Sequence, residues 1–276
     1  IIAPKAPGGL FLNTLSRAKR IVIKIGTSTL TYETGRINIR RFEGLCKVLS
    51  DIKNSGREVV LVSSGAVGVG VAKLGLPCRP KDTPSKQAAA AVGQCELMYL
   101  YDKLFLEKSH KVAQVLLTRD VVEVENRAQN ARNTFERLFS MGAIPIVNEN
   151  DTVSIEELEF GDNDTLSAMV AVLTGADGLI ILSDIDGLYA EDPRKNPKAP
   201  LIPVIRQIDS HIESIAGGSG SGLGTGGMST KIQAAKIATS HGIPMAIING
   251  SDPNLLYDLL DGIPVGSLFL PAKSIS

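Results

Sequence analysis

The chain has 276 residues, with Lys+Arg and Asp+Glu balanced at 29 each and a formal net charge of zero, which argues against a nucleic-acid partner, since such proteins are usually basic. Hydrophobic residues make up 43%, enough for a substantial core in one large α/β domain or two small ones. Aromatics are only 4% and Trp is absent, so platforms for stacking bases are scarce.

Cys46, Cys78 and Cys95 are odd in number and irregularly spaced, forming neither a disulfide framework nor a zinc site. His110, His211 and His241 are scattered and fit ordinary structural or surface roles. No apolar run reaches the length of a membrane span, and residues 1–20 lack the apolar core of a signal peptide. The expected location is the cytoplasm, with no membrane partner.

Residues 1–19 hold Pro4, Pro7, Gly8 and Gly9 and read as a loose N-terminal extension. Residues 20–276 read as a single domain without internal repeat or interdomain linker. A short β-branched run over 21–26 predicts a buried strand. Helical periodicity over 39–55 stops at Gly56, and 59–62 is a second buried strand ending in Ser63-Ser64-Gly65. Helices are expected near 65–74 and 85–108, a strand over 112–117, a helix over 126–141 and a strand over 144–147. A helix over 164–173 and a strand over 178–182 follow. A polar, Pro-rich excursion then occupies 184–203, and Ala216 to Gly220 reads as flexible linker. A helix over 228–240, a strand over 245–248, a helix near 253–260 and a strand at 267–270 close the chain.

Strands alternate with helices, and most strands are continuously apolar. The predicted class is α/β, a largely parallel central sheet sandwiched between helices. Ligands of such sheets bind outside the carboxyl ends of the strands, and the polar motifs fall at those ends.

The densest of these motifs is Ser221-Gly222-Leu223-Gly224-Thr225-Gly226-Gly227-Met228-Ser229-Thr230-Lys231. Bare amides, a helix N-terminus and a positioned ammonium favour phosphates. It is not a Walker A loop, and no strand precedes it as a dinucleotide fingerprint requires. A surface loop that binds nothing is the alternative.

Lys24-Ile25-Gly26-Thr27-Ser28 puts a lysine inside an apolar strand, costly unless it meets an anion or lies at a sheet edge. Ser63-Ser64-Gly65-Ala66-Val67-Gly68-Val69-Gly70 exposes amides and a hydroxyl at a strand-to-helix turn, or merely packs closely. Asn148-Glu149-Asn150-Asp151 follows a buried strand. Asp151 there can accept hydrogen bonds from a cationic group such as an α-ammonium, or cap a turn. In Gly161-Asp162-Asn163-Asp164, a carboxylate can orient nearby ammonium groups or act through magnesium, and one residue can serve as an N-cap. Ser183-Asp184 ends a strand and is followed by Asp186-Gly187, which also suits an exposed turn.

In their joint order these motifs, with Ser85-Lys86-Gln87-Ala88-Ala89-Ala90-Ala91-Val92-Gly93-Gln94, resemble the amino acid kinase family over roughly residues 18–271. Within it they resemble the branch that phosphorylates the side-chain carboxylate of L-glutamate with ATP. The resemblance implies that Lys24, Gly26, Ser183, Asp184, Thr225, Gly226, Gly227, Met228, Ser229, Thr230 and Lys231 bind ATP. It implies glutamate binding by Ser64, Gly65, Asp151 and Asn163, and catalysis by Lys24, Asp164 and Lys231, with Asp164 organising the two lysines. Magnesium would bridge the nucleotide phosphates rather than fill a protein cage.

The implied product is L-glutamate 5-phosphate, the first intermediate towards proline. Proline as feedback inhibitor, a homodimer or tetramer, and a reductase that takes the acyl phosphate are further expectations of the resemblance. Many bacterial relatives carry a C-terminal PUA domain. This sequence stops where one would begin, so none is expected in it. Other acceptors, such as N-acetylglutamate, a carbamate or a nucleotide monophosphate, remain alternatives, as does a nucleotide sensor without turnover. Asp151 disfavours an acetylated amine, and Lys24, Asp164 and Lys231 disfavour a sensor.

Overall fold

The computed structural model describes residues 14–32, 34–153, 163–217 and 227–271. In chain order its elements are β1 (Arg20–Ile25), α1 (Thr27–Leu30), α2 (Ile39–Asn54), β2 (Glu58–Ser63), α3 (Ala66–Leu74) and α4 (Thr83–Leu106). Next come β3 (Val112–Leu117), α5 (Arg119–Glu123), α6 (Glu125–Ser140), β4 (Ile144–Glu149), α7 (Asn163–Thr174) and β5 (Gly178–Ser183). The chain continues through β6 (Val204–Ile205), α8 (Ser210–Ala216), α9 (Met228–Ser240), β7 (Met245–Asn249), α10 (Leu255–Leu260) and β8 (Ser267–Phe269).

The strands form one eight-stranded sheet in the order β3-β4-β2-β1-β5-β7-β8-β6. Every neighbouring pair is parallel except β7 with β8. The most central strands, β1, β2 and β5, are apolar nearly throughout because helices cover both faces. Alternation along β1 sends Ile21, Ile23 and Ile25 into a core with Phe42, Leu45 and Leu49 of α2 and Leu97, Tyr101 and Phe105 of α4. Val22 points the other way, into a core with Leu166 and Val170 of α7 and Ile232 and Ala235 of α9. Lys24 shares that second face by the same period of two.

Local chemistry sets the helix starts. Asn38 Oδ1 accepts from the amide of Arg41 at 3.2 Å, and Asp82 Oδ1 from that of Ser85 at 2.9 Å, so each side chain satisfies an amide that the first turn leaves open. Gly65 precedes α3 with φ of 112°, a conformation that strains any side chain.

α3 and α4 touch backbone to backbone. A Cβ on Gly70 would lie 1.8 Å from the carbonyl oxygen of Ala89, and one on Gly93 1.8 Å from that of Ala66. The sequence Ala88-Ala89-Ala90-Ala91-Val92-Gly93 therefore serves helix proximity.

Several short elements differ from the sequence expectation. The turn after Lys24 contains α1, and the helix expected over 126–141 is α6, preceded by a separate short helix, α5. Ala216, expected in a linker, is the buried last residue of α8. Asp209 Oδ1 caps that helix on the amide of Ile212 at 3.0 Å. The Pro-rich excursion closes on itself through an antiparallel bridge between Tyr189 and Leu201. The strand expected over 112–117 is β3, an edge strand that is only partly buried. Among the described residues, no helix is long and apolar enough to cross a membrane.

Candidate active site

The carboxyl ends of β1, β2, β4 and β5 meet at one edge of the sheet, and each carries one of the polar motifs. Lys24 is in a central strand, not an edge strand, and only 5% exposed. An ammonium there needs an opposite charge nearby, and Asp164, in the first turn of α7 and fully buried, supplies it. Lys24 Nζ is 2.6 Å from Asp164 Oδ1. Lys231, in α9 and 5% exposed, brings its Nζ to 3.1 Å from Oδ2.

Thr230 Oγ1 lies 2.9 Å from the same Oδ2 and 2.7 Å from the carbonyl oxygen of Gly227. Burial by itself pushes the Asp164 carboxyl up. The charges of Lys24 and Lys231, with hydrogen bonds from Lys24 and Thr230, outweigh burial and hold it below the ordinary carboxylate range. One carboxylate thus sits between two ammonium groups at the sheet edge.

Two backbone features adjoin that group. A Cβ on Gly26 would lie 3.7 Å from Lys24 Nζ and 3.9 Å from Ser28 Oγ, so the glycine keeps the approach to the ammonium clear. Gly227 is the N-cap residue of α9, and the first turn of that helix, with Met228 and Ser229, holds no acidic side chain. Its amide dipoles remain directed at whatever anion arrives.

A neutral cluster lies one residue along. Asn163, immediately before Asp164, donates through Nδ2 to Ser64 Oγ at 2.8 Å and to Asn148 Oδ1 at 2.9 Å. Asn148 Nδ2 donates to Gln94 Oε1 at 2.9 Å. Ser63 Oγ meets the hydroxyl of Tyr101 at 2.8 Å, which ties the end of β2 to α4. Asp151 lies just past β4 in the turn at this edge.

Ser183 ends β5 one residue beyond the pairing of Leu182 with Ile25, and its Oγ donates to Asp184 Oδ1 at 3.2 Å. The amide of Gly250 donates to the Ser183 carbonyl at 2.7 Å. Nearby, Asn249 Nδ2 and the Tyr189 hydroxyl each donate to Asp186 at 2.8 Å.

Lys24, Asp164, Thr230 and Lys231 thus form one contact group, and Ser64 and Asn163 a second beside it. Thr225 and Gly226, and likewise Gly161 and Asp162, lie outside the described residues. Sequence reasoning assigned no task to Gln94 or to Asn148 individually. The available signal was a polar residue ending an otherwise apolar strand, β4.

Among the described residues, no three His, Cys, Asp or Glu side chains gather into a metal cage, and Asp164 is already committed to two lysines. The two lysines around Asp164 fit a polyanion.

A two-lysine, one-carboxylate centre beside a helix N-terminus, on a mostly parallel α/β sheet, has the chemistry to receive a phosphate. The family model described as the amino acid kinase family matches residues 19–249, and the chain belongs to that family. It is 56% identical over 263 residues to a glutamate 5-kinase of Clostridium perfringens, covering 94% of this chain and 98% of that protein. It is 53% identical over 260 residues to a glutamate 5-kinase of Carboxydothermus hydrogenoformans, covering 94% and 70%.

Among solved structures, it resembles a carbamate kinase from Giardia lamblia bound to AMP-PNP, with TM-score 0.65, 18% identity, and 92% and 99% of the two chains covered. A UMP kinase from Bacillus anthracis gives TM-score 0.63 at 16% identity, covering 92% and 96%. At such identities these two establish the shared fold alone.

Proposed function

We propose that this chain transfers the γ-phosphoryl group of ATP to the side-chain carboxylate of L-glutamate, yielding ADP and L-glutamate 5-phosphate, the first step towards proline. The carrying observation is the buried Lys24–Asp164–Lys231 centre, set in a chain 56% identical to a glutamate 5-kinase.

A carboxylate has a pKa near ~4 and is already ionised at neutral pH, so no general base is needed. The obstacle is the approach of one anion to another. Catalysis then comes from positioning and charge neutralisation.

In this reading Lys24 and Lys231 pair with the phosphoryl oxygens as charge moves onto them, and Asp164 holds both ammonium groups in place. A glutamate side-chain oxygen forms the new bond to the γ-phosphorus while the bond from that phosphorus to the β,γ-bridging oxygen breaks. ADP leaves with the electron pair.

Gly26 and the amides from Thr225 to Ser229 hold the nucleotide phosphates, with Ser183 and Asp184 beside them. Ser64, Gly65, Asn163 and Asp151 hold the amino-acid end of glutamate. Magnesium brought in with the nucleotide would supply neutralisation of phosphate charge. The acyl phosphate is a reactive anhydride and requires a consuming enzyme, for which a reductase is the partner class. Proline as a feedback ligand, a homo-oligomer and a cytoplasmic setting complete the proposal.

Trapping with hydroxylamine tests it, because an acyl phosphate is converted to a hydroxamate whereas a phosphate ester is not. Glutamyl hydroxamate formed only with ATP and L-glutamate together is the expected result. ADP release without hydroxamate would rule out carboxylate phosphorylation.

A further inference from the structure

The amide chain behind Ser64 has a direction. Asn163 Nδ2 faces Ser64 Oγ at 2.8 Å, Asn148 Oδ1 at 2.9 Å and the carbonyl oxygen of Ser63 at 3.5 Å. A carbonyl cannot donate, so the Asn163 atom facing it is the amide nitrogen. An amide nitrogen accepts nothing, so Ser64 Oγ is the acceptor in their contact and its own proton goes elsewhere. Asn148 is constrained in turn. It presents Oδ1 to Asn163, which sends its NH2 to Gln94 Oε1 at 2.9 Å. Gln94 is the last acceptor of a one-way series running from α7 through β4 to α4.

Gln94 reaches that position because of its neighbour. Gly93 lies against the carbonyl of Ala66 with no room for a Cβ, which brings α4 down onto α3 beside the Ser64-Gly65 turn. Asn148 is 3% exposed, where water cannot substitute freely for a missing acceptor.

We infer that Gln94 is a positioning residue that holds in place the polarity the Ser63 carbonyl gives the amino-acid subsite. It touches no reacting atom. By accepting from Asn148, it keeps Asn148 Oδ1 turned to the NH2 of Asn163 and so supports the arrangement in which the Asn163 carbonyl oxygen is left as acceptor and the Ser64 hydroxyl as donor. One acceptor beside one donor matches an α-ammonium beside an α-carboxylate. The inference rests on the proposal above that the acceptor substrate is a free amino acid.

The test is steady-state kinetics of the full chain carrying Gln94→Leu, with the unbranched Gln94→Met as a second variant and Gln94→Glu as the variant that retains an acceptor. L-glutamate is compared with glutarate, which lacks the α-amino group. Losing the acceptor raises the KM for glutamate about tenfold, the scale of one hydrogen bond, with kcat and the KM for ATP little changed. The preference for glutamate over glutarate in kcat/KM falls by a similar factor, and Gln94→Glu recovers most of it. An unchanged glutamate KM, equal losses for glutamate and glutarate, or a Gln94→Glu variant as impaired as Gln94→Leu overturns the inference. Absence of glutamate turnover in the unaltered chain instead overturns the functional proposal beneath it.

Discussion

Lys24 Nζ lies 2.6 Å from Asp164 Oδ1, and both side chains are almost wholly removed from water. The lysine comes from the middle of the sheet and the aspartate from the first turn of a helix on its face. A buried ion pair of this kind is weak evidence for stability, since desolvation offsets most of the attraction. Its value is positional, as it fixes an ammonium at the edge where a phosphate can reach it.

Replacing either lysine follows from that geometry. Lys24→Ala or Lys231→Ala should lower kcat by about 10²–10³-fold, the scale for loss of one preorganised charge donor. The fold should persist, because Asp164 keeps the other lysine. Turnover and circular dichroism on the same samples check both halves.

Asp164→Asn should be harsher on the fold. It removes the carboxylate that both ammonium groups share, at a cost of about 3–5 kcal/mol. The carboxyl is held below its ordinary range in the folded chain, so its contribution is full above the unfolded pKa near ~4 and is lost as pH falls through the lowered folded value. Urea denaturation from pH 7 down to pH 3 should show a wide gap between the two proteins that narrows in acid. A gap independent of pH would assign the loss to something other than this charge.

Much of the centre was legible because each part is local. A lysine in an apolar strand, a carboxylate opening an apolar helix and a lysine after a glycine-dense loop each stand out within a few residues. The alternating pattern likewise gave the parallel sheet and its carboxyl edge. The pairing of Gln94 with Asn148 could not be read, because it joins α4 to β4 across the tertiary structure. The antiparallel setting of β8 was hidden for the same reason, since three residues carry no signal of direction. α5 and α8 are too short for periodicity to register, and their boundaries depend on caps such as Asp209.

The helix contact offers a test of packing. Gly93→Ala puts a methyl 1.8 Å from a backbone oxygen, which cannot rotate away. The cost should be about 3 kcal/mol, at the upper end for overpacking. Gly44 in α2 is the control, as its Cβ would meet only Pro253 at 3.7 Å. Gly44→Ala should stabilise by roughly 0.5–1 kcal/mol, the helix preference for alanine. Thermal melts of both variants should move in opposite directions.

Removing magnesium should separate turnover from folding. With no metal cage among the described residues, EDTA should abolish ATP-dependent turnover and leave the melting temperature of the ligand-free protein unchanged. A fall in melting temperature with EDTA would indicate a structural metal.

The most direct measurement is ADP release with ATP and a panel of acceptors: L-glutamate, N-acetyl-L-glutamate, carbamate and UMP. Release that depends on L-glutamate and is at background with the other three is the predicted result. Background release with L-glutamate, or faster release with any of the others, would contradict the assignment of this site to the side-chain carboxylate of glutamate.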